Sequence, residues 1–218
     1  MQRGADDNWT LSQVLANINT TNHLSAPTHM QRIRSLKPNV TREEAIRHFS
    51  NGVINGAAKL IRGPIHSLAE LYIPYRLFHV KICSAGREQN LTFAMDAVRG
   101  VLDLYQLPAL TAEDQFLTLQ TRNVLPADLD AAQAEKRLIG KVRRMIFTRG
   151  FFRVRDLKIE ALPVPGEICV PYWVCFRGTS ERVHLAVLDA VRRRPEGAKV
   201  RRLVEEWLGS DAREWIPS

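Results

Sequence analysis

Three Cys, six His and the aspartates Asp96 and Asp189 are the side chains through which this chain could ligate a metal or carry acid, base or nucleophilic chemistry. A zinc site announces itself by closely spaced ligands such as Cys-x-x-Cys or His-Glu-x-x-His. Neither spacing occurs, and no carboxylates cluster at ligand spacing. Cys169 and Cys175 lie in a stretch that reads as a strand, where they share a face but stand about 20 Å apart, too far for one ion. Cys83, Cys169 and Cys175 therefore read as packing residues, with no metal and no cofactor implied.

A nucleophile needs a base beside it and a site for the oxyanion. Ser67 neighbours His66 in sequence only, and no Gly-x-Ser-x-Gly elbow occurs. Gly52 to Lys59 holds glycine and lysine in the wrong order for a phosphate loop. Asp96 and Asp189 each open an Asp-Ala-Val-Arg tetrad. They could form a symmetric acid pair, but a carboxylate followed closely by backbone donors is better suited to capping its own turn or pairing with Arg99 or Arg192. The reading is a protein that is not an enzyme, with no catalytic residue and no small-molecule substrate.

Charge is the remaining functional signal. The 218 residues carry 31 Lys plus Arg against 23 Asp plus Glu, a net charge of +8. The excess is uneven, since residues 131–218 hold 18 basic and 11 acidic side chains. Six basic residues fall between Lys136 and Arg149, Arg153, Arg155 and Lys158 follow, and six more lie between Arg192 and Arg202. Such concentration points to an acidic protein, a larger assembly or nucleic acid as partner. The candidate contact residues are Arg137, Lys141, Arg144, Arg153, Arg155, Arg192, Arg193, Arg194, Arg201 and Arg202. Phe151, Tyr172 and Trp173 would be stacking surfaces if the partner were a single strand. They lie in apolar runs, where core packing competes, and no RNP, KH or helix-turn-helix pattern accompanies them.

These residues need elements to position them. An internal repeat supplies the organisation. Leu71 to Val80 resembles Ile168 to Phe176 through a shared apolar-Pro-Tyr core at Pro74-Tyr75 and Pro171-Tyr172. Downstream, Asp96-Ala-Val-Arg99 recurs as Asp189-Ala-Val-Arg192. Each copy is preceded by a helical pattern. Thr41 and Glu44 have capping-box spacing with Val40 and Ala45 as staple, and Ile46, Phe49, Val53, Ala57 and Leu60 follow on one face. Asp130 caps a second helix carrying Leu138, Val142, Met145 and Ile146 inward, with Arg137, Lys141 and Arg144 as a basic stripe.

Tyr72 to Ile82 alternates as a strand, Ser84 to Arg87 reads as a hairpin connection, and 91–102 is the returning strand. Pro74 and Pro171 offer no ladder donor and belong at an edge or bulge. In the second copy Phe152 to Glu160 is extended up to Pro163 and Pro165, and Gly178-Thr-Ser is the turn. Residues 183–192 fit helix or strand by composition and are read as strand by their repeat partner. A last amphipathic helix carries Val200, Leu203, Val204, Trp207 and Leu208 and stops at Gly209.

The helix opening Thr41-x-Glu-Glu-Ala45 and the strand ending Asp96-Ala-Val-Arg-Gly-Val-Leu102 resemble the PepSY domain and, more loosely, cystatin-like folds. That resemblance implies an α+β unit that binds or inhibits other proteins, usually outside the cytoplasm, and supplies no catalytic residues. The second copy departs from it at Arg194-Pro195, where the glycine step should follow. The chain is thus expected to be an α+β protein of tandem duplicated helix-plus-antiparallel-sheet units. Residues 1–35 read as a flexible arm, 36–107 as the first unit, 108–130 as a linker with a short helix at 111–120, and 131–218 as the second, basic unit. Residues 8–31 lack charge but also lack the apolar core of a signal or spanning segment, so the expected setting is the cytoplasm.

Overall fold

In a computed structural model, residues 30–51, 64–107, 113–150, 155–178 and 183–213 are described. They form an α+β protein whose chain divides into two compact units, each discontinuous in sequence. One draws on Met30–Lys37 and Tyr72–Pro171, the other on Pro38–Leu71 and the chain from Tyr172 onward.

In the first unit, β1 (Gln31–Leu36) pairs antiparallel with β5 (Phe116–Thr121) from Gln31↔Thr121 to Leu36↔Phe116. Residues 31–35, expected in a flexible arm, are therefore strand, with Ile33 and Ser35 buried on one face and Leu36 buried on the other. Nor is 108–130 simply a linker. Phe116, Leu117 and Leu119 interleave with Thr118, Gln120 and Thr121, a pattern that prefers the pleated strand to the helix expected there, and helical geometry is confined to the 3-10 turn Glu113–Gln115.

The strand β2 (Ile65–Ser84) pairs with β3 (Arg87–Asp96) from Tyr75↔Asp96 to Ser84↔Arg87. Ala85 and Gly86 connect them with φ of 50° and 73°, the double left-handed turn that follows the twist of two antiparallel strands. The strand β3 ends at Asp96 rather than Leu102, and the chain turns there before β4 (Tyr105–Leu107) returns along its other edge. Pro74 precedes the first β2–β3 pair, so its missing donor takes nothing from that ladder, but β2 has a strand on each side and is not the edge expected for it.

The helix α2 (Ala131–Gly150) starts where the Asp130 carboxylate accepts the Gln133 N–H at 2.8 Å. Ala134, Leu138 and Val142 are fully buried against Phe78, Val80, Ile82, Phe93 and Met95, with Met145 and Ile146 half-buried beside them.

The second unit holds α1 (Arg42–Asn51), the end of β6 (Lys158–Gly178), β7 (Val183–Asp189), the two-residue β8 (Arg194–Pro195) and α3 (Ala198–Arg213). The strand β6 runs through Pro163 and Pro165 without the break expected there, both prolines being exposed on the strand. Its ladder with β7 runs from Tyr172↔Asp189 to Gly178↔Val183, so the ambiguous stretch is strand through Asp189. The helix α3 buries Val200, Leu203 and Val204 and passes Gly209 to Arg213, since one interior glycine costs a helix only about 1 kcal/mol. The rest of the first helical pattern (Val53, Ala57, Leu60), Gly63, Phe151 to Arg153 and the Thr179-Ser180 turn lie outside the described residues.

At the start of α1 the expected capping box is formed. Thr41 N–H donates to the Glu44 carboxylate at 2.9 Å and Glu44 N–H to Thr41 Oγ1 at 3.2 Å. Thr41→Ala should lower stability by about 1 kcal/mol by chemical denaturation, with Thr41→Ser restoring most of it.

The pairing of helix with hairpin differs from the order of the sequence. The helix α1 precedes the β2–β3 hairpin, yet Val40, Ala45 and Phe49 pack with Trp173, Cys175, Leu188 and Ala190 of β6 and β7. The helix α2 precedes the β6–β7 hairpin and packs on β2 and β3 instead. An apolar helix stripe fits any apolar sheet face of matching size, so local sequence leaves this choice open. What selects it here includes specific bonds, such as Trp173 Nε1–H to the Val40 carbonyl at 2.9 Å.

Candidate functional site: two aspartate turns and a basic helix face

Asp96 and Asp189 are fully buried carboxylates, and backbone donors explain both. Asp96 Oδ1 accepts the N–H of Arg99 at 2.9 Å and of Gly100 at 2.7 Å, and Oδ2 that of Leu102 at 2.8 Å. Asp189 Oδ1 accepts the N–H of Val191 at 2.9 Å and of Arg192 at 2.7 Å. Their oxygens organise turns, as the tetrad suggested.

The donors differ in offset, but each turn places a left-handed residue four positions after its aspartate. Gly100 holds φ of 63°, and a Cβ there would stand 3.0 Å from side-chain carbons of Arg137 and Leu129. Four residues after the second aspartate, Arg193 holds φ of 58° although it is not glycine. Its guanidinium donates to the Asn39 carbonyl at 2.8 Å and lies 3.5 Å from Glu44. The side chain thus ties the turn to the start of α1 and offsets the backbone cost of its own conformation.

A similar tie operates in the other unit, and it redistributes the candidate basic residues. Arg137 donates to the Arg99 carbonyl and Lys141 to the Leu102 carbonyl, so both are anchored on the Asp96 turn. Arg144 is exposed. So are Lys136 and Arg143, two further basic residues of the same helix. Counting forward from Lys136 by seven places Arg143 two turns along the same face, and Arg137 to Arg144 repeats that step, with exposed Gly140 between the columns. The signal for Lys136 and Arg143 was in the sequence, but their separation from the anchored pair needed the turn.

Arg155 is exposed in the same unit, its carbonyl accepting from Ala85 N–H and Ser84 Oγ. Arg153 lies outside the described residues. The remaining candidates belong to the second unit: Arg192 is half-buried, Arg194 meets Glu196 at 3.2 Å, Arg202 meets Glu206 at 2.9 Å and Arg201 is exposed on α3. The ten residues therefore divide between the two units. The unit holding α2 contains 17 of the 31 basic residues and 11 of the 23 acidic ones, so most of the net charge falls in that unit although half of the candidate residues belong to the other.

Cys169 and Cys175 are buried, and burial pushes their thiols up to about 12 and about 11. Arg177 pulls Cys175 the other way without cancelling that rise. Cys83 is only half-buried. At neutral pH a disulfide-exchange reagent should modify Cys83 in the native protein and the other two only after unfolding, counted by absorbance. Because folding raises those two thiol values above the ordinary value of about 8.5, their contribution is complete below that pH and is lost as pH climbs through about 11 to 12.

Among the described residues no three of His, Cys, Asp and Glu are grouped to hold a metal ion, and no helix is long and apolar enough to cross a membrane. Tyr172 and Trp173 are 2% and 5% exposed, which removes them as stacking surfaces. What the fold presents is an α+β protein with a basic helix face. Compared with known proteins, the chain matches no family model, no curated sequence and no solved structure.

Proposed function

We propose that this is a non-enzymatic binding or accessory protein, acting in the cytoplasm, whose basic surface docks an acidic protein or a larger assembly. The observation that carries this is the exposed face of α2, where Lys136, Arg143 and Arg144 stand clear of the core while Leu138 and Val142 hold the opposite face in place. Seven residues of helix rise about 10 Å, so the face suits carboxylates two helical turns apart on an acidic segment. A rigid helix bearing fixed charges loses little freedom on docking, which favours a site over a merely solvated surface.

We also read the two hairpins as copies of one duplicated unit of PepSY-like or cystatin-like type. In support, Tyr75↔Asp96 and Tyr172↔Asp189 open both ladders, both aspartates cap turns, and a left-handed residue stands four places after each. A nucleic-acid partner held by phosphate contacts is the alternative, but the burial of Tyr172 and Trp173 takes away its stacking component.

The test is binding of a labelled acidic peptide with glutamates at seven-residue spacing, against a single-stranded oligonucleotide of equal charge, at about 50 mM salt. Arg143→Glu with Arg144→Glu should abolish peptide binding while changing stability by less than about 0.5 kcal/mol, since both side chains are exposed. Peptide binding indifferent to that reversal would overturn the reading, and preference for the oligonucleotide would replace it with the alternative.

A further inference from the structure

The strand β5 is an edge. Among the described residues it pairs with β1 alone, and its sequence Phe-Leu-Thr-Leu-Gln-Thr contains no charge, no proline and no glycine. Edge strands are ordinarily protected by such residues, because an open row of N–H and C=O groups is a template for another strand. The direction of the open groups can be read from the ladder. Lys37 N–H donates to the Gln115 carbonyl at 2.9 Å, which fixes the phase of the alternation with β1. Residues 115, 117, 119 and 121 then turn their backbone groups toward β1, and Phe116, Thr118 and Gln120 turn theirs outward.

The flanks of the strand say what it would accept. Just before it stands Asp114 and just after it Arg122, both exposed. Glu113 is already paired with Arg34 at 2.8 Å, and Arg34 also covers the Phe116 ring at 4.1 Å. An antiparallel strand of opposite polarity is acid-first and base-last when read alongside β5 in its own direction, and β5 itself has that order. Only residues with outward backbone groups can exchange bonds, so the two-fold axis passes through a residue rather than between two, and the flanking charges choose which. Centring on Thr118 sets Phe116 opposite Gln120 and brings Asp114 of each copy to Arg122 of the other, at both ends of the ladder.

We propose that β5 pairs antiparallel with β5 of a second copy of this chain, with Thr118 on the two-fold axis and Asp114 and Arg122 closing the ends. The interface consists of main-chain bonds along one short strand, so the association is reversible and depends on concentration.

Sedimentation velocity from about 5 to 200 µM tests it, the range in which a small interface of this kind associates. The protein should pass from monomer to dimer. Thr118→Pro removes an outward donor without touching the β1 ladder and should weaken the dimer about tenfold or more. Asp114→Arg or Arg122→Asp alone should weaken it, and the two together should restore it. This keeps the test decisive should the proline variant not fold. On a Cys83→Ser background, Thr118→Cys should form an intermolecular disulfide readily and Gln120→Cys should not, because only residue 118 faces itself. A protein monomeric over the whole range overturns the proposal. So does a dimer indifferent to both the proline and charge changes, or equal cross-linking at 118 and 120.

Discussion

Asp96→Ala is expected to lower stability by about 3–5 kcal/mol, enough to bring a protein of ordinary stability close to unfolding at physiological temperature. The carboxylate is fully buried and accepts three backbone N–H groups, from Arg99, Gly100 and Leu102. Alanine would leave those donors without their acceptor in a turn sealed by Arg137 and Lys141 on its carbonyls. Each orphaned buried donor costs about 1–3 kcal/mol, with entry of a water reducing the sum. Asp96→Asn keeps the volume and one accepting oxygen, but turns an NH2 group toward a donor, and should lose about 2 kcal/mol. Thermal unfolding of the alanine variant should begin about 10 °C lower. A loss under 1 kcal/mol would mean that the turn stands without its carboxylate, and that Asp96 would need another purpose.

The second large effect concerns which helix supports which hairpin. Leu138→Ala should cost about 3–4 kcal/mol, because the side chain is fully buried with Phe78, Phe93 and Met95 and the cavity cannot close around rigid strands. Phe49→Ala should cost a similar amount against Trp173, Cys175 and Leu188. Size alone does not distinguish the observed arrangement from one in which each helix covers the hairpin that follows it. Coupling does. In double-mutant cycles Leu138 should couple to Phe93, and Phe49 to Trp173, by about 0.5–3 kcal/mol. Helices packed in sequence order would instead couple Phe49 to Phe93. Trp173→Phe should add a loss of about 1 kcal/mol, since the Val40 carbonyl then loses its indole donor.

Local signals were legible wherever a residue acts on its chain neighbours. The Thr41–Glu44 capping box, Asp130 as a helix cap, the Ala85-Gly86 turn and the capping function of both aspartates depend on groups within a few residues, so spacing alone reveals them. Element type failed where pairing with a distant strand decided the matter. The strand β5 reads as a short helix until β1 is beside it, and β1 reads as a loose arm until β5 is beside it. The basic stripe was half legible. Helical period placed Arg137, Lys141 and Arg144 together on α2, but only the Asp96 turn shows that Arg137 and Lys141 are spent on carbonyls, leaving the exposed face to Lys136, Arg143 and Arg144.

By itself the sequence determined an α+β protein, with two hairpins opening on Pro-Tyr and carrying turn-capping aspartates, and with helices carrying one apolar face each. These properties follow from hydrophobic period and from short-range hydrogen bonding, which travel with the chain. Only the tertiary structure decided that α1 packs on the second hairpin and α2 on the first, and therefore that the basic helix and the first hairpin share a unit. Apolar burial is non-directional, so two helices of similar stripe and two sheets of similar face satisfy it in either pairing. The choice falls to side-chain shape and to long-range bonds such as Trp173 to Val40 and Arg193 to Asn39, which join residues more than a hundred positions apart.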